Sequence, residues 1–231
     1  MVQNMMNNTY SRSIDVSKYF KLTYLYMVLG IVTTGIGSVI GGLFLEPLMV
    51  QLFQSNIAWI GLIVVQFALI FVVARLAESQ NKAIALSGYL GFTVFEGLII
   101  SPLLLFTDPK TLLAAFVSTA GLFGIMAMLG YATKIDMSRF GGILLAATFA
   151  LLLAMIINMF IGSGVFGYIV SIIAVIVFAI WTAYDNQKLR ISFESADETN
   201  ANSIAVMGAF DLYLDFLNMF INLVRIFSNN N

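Results

Sequence analysis

Seven long apolar runs separated by short polar stretches make up nearly the whole chain. They extend from about Phe20 to Phe44, Ile57 to Ala74, Ala83 to Leu105, Thr111 to Thr133, Gly141 to Ile161, Val165 to Asp185 and Ile204 to Phe227. Each is long enough, at about 1.5 Å per residue, to cross a hydrocarbon layer roughly 30 Å thick as a helix. The separators carry the expected stop and start residues: Glu46-Pro47; Arg75, Glu78 and Lys82; Thr107-Asp108-Pro109-Lys110; Lys134 to Arg139; Gly162-Ser163-Gly164; and the acidic stretch Ile191 to Ser203 with Glu194, Asp197 and Glu198. Connections this short leave no room for a second domain. Residues 1–19 are polar and read as a flexible arm, and residues 228–231 as a short tail. Gly37-x-x-x-Gly41, overlapping Ser38-x-x-x-Gly42, suits close helix packing, and Gly142, Ala146, Ala150 and Ala154 form a second small-residue stripe.

The last run differs from the others. Asp211, Asp215, Asn218, Asn222 and Arg225 fall within a sector of about 80° of its circumference at 100° per residue. Turned towards lipid, each Asp would cost about 2.5–3.5 kcal/mol even on the lenient insertion scale. The stripe must face other helices or a water-filled path. The expected fold is therefore an all-α integral membrane bundle of seven transmembrane helices, its last helix central and enclosed by the other six. Six helices with a re-entrant last segment is the alternative.

Composition agrees. Of 231 residues 60% are hydrophobic and 10% charged, with mean hydropathy +0.95, whereas soluble domains carry about a quarter charged residues. The absence of Cys and His excludes disulfides, thiolate nucleophiles, zinc sites of the usual kind and histidine proton switches. No basic nucleic-acid face is present. The first apolar run is too long for a signal-peptide core. Arg12, Lys18, Lys21, Arg75, Lys82, Lys134, Arg139, Lys188 and Arg190 fall on the N-terminal side of the crossings and only Lys110 and Arg225 on the other. The positive-inside rule then puts the N-terminus in the cytoplasm and the C-terminus outside.

The polar groups at membrane depth are Gln66, Glu96, Asp185, Asp211, Asp215, Asn218 and Asn222. Gln66, Asn218 and Asn222 read first as ordinary interhelical hydrogen-bonding groups and second, with Glu96 and Arg75, as candidates to line a pore. Glu96 is either a packing carboxyl or part of a path. Every Lys lies in a loop or at a span end, so a retinal-type Schiff base is excluded. Asp185 lies near the inner end of the sixth run, and Asp215 about 11 residues, roughly 16 Å, into the seventh. Asp185 can thus approach Asp211 or Asp215. Two carboxyls in hydrogen-bond contact in a low dielectric cannot both be ionised cheaply, so such a pair shares a proton. It would latch two helices when singly protonated, and part or accept a cation when both ionise. Its oxygens are of the kind Ca²⁺ prefers, so Asp185 and Asp215 are the candidate metal ligands. Among the stripe residues the only base is Arg225. An intramembrane aspartyl protease would share Tyr184-Asp185, but the Gly-x-Gly-Asp and Pro-Ala-Leu elements are absent. No enzymatic activity and no cofactor are expected.

Tyr184-Asp-Asn-Gln-Lys188, followed by Leu212-Tyr-Leu-Asp-Phe-Leu-Asn-Met-Phe-Ile-Asn-Leu-Val-Arg-Ile226, resembles the C-terminal signature of the Bax inhibitor-1 family, the transmembrane Bax inhibitor motif proteins, which has bacterial members. The resemblance covers essentially the whole chain in length, layout and motif order. It implies a seven-helix bundle and a pH-sensitive calcium leak across the cell membrane, with protons and Ca²⁺ as partners and Asp185 paired with Asp215 as the gate. Some bacterial relatives are instead described as modulators of a membrane-anchored ATP-dependent protease, which would make the chain a non-conducting interaction protein docking through its N-terminal arm. The chain departs from the family pattern at Asp211, an additional acid that makes the gate a candidate three-carboxyl cluster. It departs again on the second helix, where Gln66 stands in place of a Glu and Arg75 only roughly fits the position of an Arg. Glu96 is then the substitute carboxylate lining the path.

Overall fold

The computed structural model describes residues 15–77 and 81–229, apart from the side chains of Phe53 and Trp59. These residues form α1 (Val16–Phe44), α2 (Glu46–Gln54), α3 (Asn56–Ala77), α4 (Lys82–Phe106), α5 (Pro109–Ala132), a 3₁₀ turn (Met137–Phe140), α6 (Gly141–Ile161), α7 (Gly164–Glu194) and α8 (Ala201–Ser228). All but α2 and the 3₁₀ turn are long and apolar enough to span a membrane, giving seven spans. Among the described residues there is no strand.

The boundaries follow capping chemistry more than hydropathy. Asp15 accepts the Lys18 amide at 3.1 Å, so α1 begins at Val16, inside the stretch the pattern assigns to the arm. The rest of that arm, with Arg12, lies outside the described residues, as do Glu78 and the end of the tail. Asn81 caps α4, Asp108 caps α5 with Pro109 in its first turn, and Ser163 caps α7. Gly162, at φ 69°, closes α6 in the left-handed region. Two sequence expectations need correction. Pro47 does not only stop a helix: it opens the nine-residue α2, because Pro is well suited to a first turn. The sixth span does not end at Asp185, since α7 continues to Glu194 and keeps Asp185 to Arg190 helical.

The connection between α7 and α8 is built on Asp197. Its Oδ1 accepts from the Thr199 hydroxyl at 2.6 Å, the Thr199 amide at 2.9 Å and the Asn200 amide at 3.0 Å. The Thr199 side-chain bond, with the backbone bonds behind it, holds this exposed carboxyl below its ordinary value. A depressed value means the stabilisation is complete above the ordinary Asp range and is lost as pH falls through the lower folded value. Protection of the Thr199 and Asn200 amides against hydrogen exchange should therefore hold at neutral pH and collapse in acid. Protection that is equally low at neutral pH would contradict the capped connection.

Packing relies on small residues, because lipid supplies no hydrophobic drive between helices. A Cβ on Gly97 would meet the Thr34 carbonyl oxygen of α1, and one on Gly37 the Val94 carbonyl oxygen of α4. The Gly37/Gly41 motif therefore brings two backbones into contact, as its spacing suggests. The second stripe behaves otherwise. Gly142, Ala146 and Ala150 are exposed, and α6 packs on α7 through Leu144, Leu151, Ala147 and Ala154 against Val170, Ala174 and Val177. α8 is the most buried span, whereas α6 lies largely exposed at the edge of the bundle. It lies against α1, α3, α4, α5 and α7, so its wall is mainly five spans rather than six. Edge-on aromatic contacts line that wall, Phe92 with Phe210 and Phe123 with Phe216 among them.

Candidate functional site

α7 and α8 run antiparallel through one short connection, which brings the motif near the end of one beside the acids in the first half of the other. Asp185 and Asp215 are 8% and 4% exposed, and their carboxyls lie within hydrogen-bond reach of each other. Thr182, one turn before Asp185 on the same face, also reaches Asp215 while donating to the Phe178 carbonyl at 2.9 Å. Asp215 Oδ2 has no hydrogen-bond partner. Of the two acids that the spacing leaves open, Asp215 is the one that meets Asp185.

Asp211 has a different partner. Lys188 Nζ is 3.0 Å from Asp211 Oδ2 and 3.9 Å from Asp185 Oδ1. Asp211 also lies within electrostatic reach of Asp185 and Asp215, so the three carboxyls share one neighbourhood with Lys188 bound at the Asp211 side. Among the described residues no group of three or more acidic, His or Cys side chains is arranged to hold a metal. Lys188 was missed as a site residue because it reads as a span-end base. Its spacing of three from Asp185, which puts the two on one helical face, was the available signal. The Lys188 side chain is half exposed, so a buried acid site has its ammonium on the outer rim. Arg225, the base within the predicted stripe, is exposed, far along α8 from Asp211.

The rest of the motif holds α7 in register. The buried Asn186 accepts from the Tyr24 hydroxyl of α1 at 2.5 Å and donates to the Thr182 carbonyl at 2.8 Å. Gln187 accepts from the Met137 amide at 2.7 Å and donates to the Ile135 carbonyl at 2.8 Å, tying down the turn before α6. Arg190 donates to the Tyr131 carbonyl in the last turn of α5 at 2.6 Å. Three consecutive polar residues and Arg190 thus bind four different parts of the bundle.

The other predicted residues are dispersed. Glu96, midway along α4, is 1% exposed and lies within hydrogen-bond reach of Gln66 in α3. Arg75 is exposed in the last turn of α3, and the cation beside Asp185 is Lys188. Asn218 and Asn222 do not join helices as expected: their amides donate to the carbonyls of Leu214 and Asn218 at 2.8 Å, one turn back on α8. Asn222 Oδ1 is buried without a partner.

The sequence matches a family model and several bacterial proteins. A family model described as "Inhibitor of apoptosis-promoting Bax1" matches residues 16–231. The chain is 35% identical over 184 residues to the inner membrane protein YbhL of Escherichia coli (strain K12), covering 78% of this chain and 79% of that protein. It is 33% identical over 234 residues to an uncharacterised protein of Deinococcus radiodurans, covering 98% of each. It is 31% identical over 221 residues to an uncharacterised membrane protein of Streptococcus pyogenes serotype M1, covering 94% of this chain and 95% of the other.

Proposed function

The chain belongs to the Bax inhibitor-1 family of membrane proteins, and from that premise we propose that it is a pH-gated cation leak, with Ca²⁺ as cargo and the Asp185–Asp215 pair as its gate. The observation that carries the reading is the burial of two facing carboxyls between α7 and α8, one with an unpartnered oxygen. While the pair shares one proton, the hydrogen bond latches the two helices. When both ionise, like charges repel strongly in a poorly screened interior, and the helices part at this level. The oxygens freed are hard ligands for Ca²⁺, which passes as cargo and is not held in a closed cage. The excess of Lys and Arg on the N-terminal side supports a gate at the cytoplasmic end, with the C-terminus outside.

Lys188 completes the mechanism as an internal counter-cation. It stands beside Asp185 and Asp211, where an arriving cation must compete with it. Lys188→Gln should tighten the apparent Ca²⁺ half-saturation of flux several-fold without removing its pH response. An unchanged half-saturation would remove Lys188 from the path. The test of the function itself is Ca²⁺ uptake into vesicles holding the full chain, measured across a pH series. Uptake no faster than in empty vesicles at every pH would overturn the leak.

A further inference from the structure

Glu96 is no part of the carboxyl gate. It lies where α4 meets α3 and α8, with its side chain buried and its Oε1 without a hydrogen-bond partner. The groups facing it are neutral. Gln66 reaches it from α3. Tyr213 of α8 lies within electrostatic reach and shares a 2.7 Å hydrogen bond with Thr34 of α1. Thr34 in turn donates to the Thr93 carbonyl of α4 at 3.0 Å. Among the described residues no Lys or Arg forms an ion pair with Glu96. Tyr213 and Asp215 are two residues apart, about 200° around the helix, so the body of α8 separates this cluster from the aspartates. An ionised carboxyl here would have no protein counter-charge in a medium that penalises isolated charge, and one of its oxygens is already free.

We propose that Glu96 is a second ion-exchange station, taking a proton or one small metal cation as the counter-charge that the protein does not supply, and working independently of the Asp185–Asp215 pair. The Gln66 amide orients the carboxyl and leaves Oε1 for the ion. The inference rests on the cation-leak reading for the choice of cations to test.

Dicyclohexylcarbodiimide, an apolar reagent that modifies protonated carboxyls at membrane depth, tests it. The full chain in lipid vesicles is treated in CaCl₂, NaCl or choline chloride, and the adducts are mapped by peptide mass spectrometry. Glu96 should be modified in choline chloride, and Ca²⁺ or Na⁺ should slow that reaction several-fold. The protection should persist in an Asp185→Asn/Asp215→Asn protein, and Gln66→Leu should weaken it while leaving the adduct. No adduct at Glu96 overturns the proposal, because a station that exchanges ions must open to small solutes. An equal rate in all three salts, or protection lost with the two aspartates, also overturns it. Protected Glu96 in a chain without Ca²⁺ flux would sink the leak and keep the station. Gated flux with unprotected Glu96 would do the reverse.

Discussion

Asp215→Asn should hold Ca²⁺ uptake at one low level across the pH range in which the native protein responds. The substitution keeps the size and shape of the side chain and replaces a carboxyl that can lose its proton with an amide that cannot. The amide can donate to Asp185, so the latch between α7 and α8 stays engaged whether or not Asp185 is ionised. In the native protein, uptake should rise with pH as the second proton leaves, at apparent values that belong to the pair. A repulsion on the order of 1.4 kcal/mol between the two ionised forms corresponds to about a tenfold change in the open fraction, and the variant should lose at least that ratio. Asp185→Asn should behave alike. Asp211→Asn is the contrasting case: its carboxyl pairs with Lys188 and acts on the other two aspartates only through space. Its loss should alter cation competition and move the midpoint of the pH response without abolishing it. Profiles that keep their native shape in both Asp185→Asn and Asp215→Asn would falsify the gate.

The largest loss of stability from a single methyl group is expected at Gly130. A Cβ there would collide with the Ala183 carbonyl oxygen and lie 2.6 Å from its Cα. Backbone atoms cannot rotate aside, so Gly130→Ala must push α5 away from α7. The strain falls on a seam that Arg190 also closes by its bond to the Tyr131 carbonyl. Overpacking of this kind costs about 1–3 kcal/mol, against an intrinsic helical gain for Gly→Ala of up to about 1 kcal/mol. Gly121→Ala, on the same helix, has nothing within 4 Å of the added carbon and should be neutral or stabilising. Unfolding in mixed micelles compares the two directly. Because Ala183 lies two residues before Asp185, Gly130→Ala should also blunt the pH response in proportion to its loss of stability. Equal stability of the two variants would mean that the seam can widen freely.

Legibility differed by kind of information. The spans could be read because every backbone group at membrane depth must be paired within its own helix, which makes long apolar runs helical with few alternatives. Their ends were less legible. Asp15 extends α1 past the hydropathic edge, and α7 continues through Lys188 and Arg190 because these side chains reach partners on neighbouring helices. The Gly37/Gly41 motif read correctly as a contact, whereas in the equally regular second stripe Gly142, Ala146 and Ala150 are exposed and only Ala154 packs on α7. Small-residue spacing allows close approach without saying that a partner is present.

The site divides in the same way. The periodicity of α8 and the cost of a charge in lipid were enough to place Asp211, Asp215, Asn218 and Asn222 on one stripe and to require that its acids be sheltered. They were also enough, with Asp185 in the preceding span, to predict a carboxyl pair. Which acids pair depends on the rotation and axial offset of α7 against α8, and no one-dimensional pattern contains either quantity. The tertiary structure fixes α7 in the bundle through Asn186 on Tyr24, Gln187 on the Ile135–Met137 turn and the Gly130–Ala183 contact. It seats α8 on α7 through Leu189 against Gly208 and Lys188 on Asp211. With that register Asp215 meets Asp185, Asp211 meets Lys188, and Glu96 is left on the far side of α8 with Gln66. The chain alone determined which polar groups had to be enclosed, because burial cost is a property of each residue. Only the packed helices decided which of them touch, because contact depends on the relative placement of whole helices.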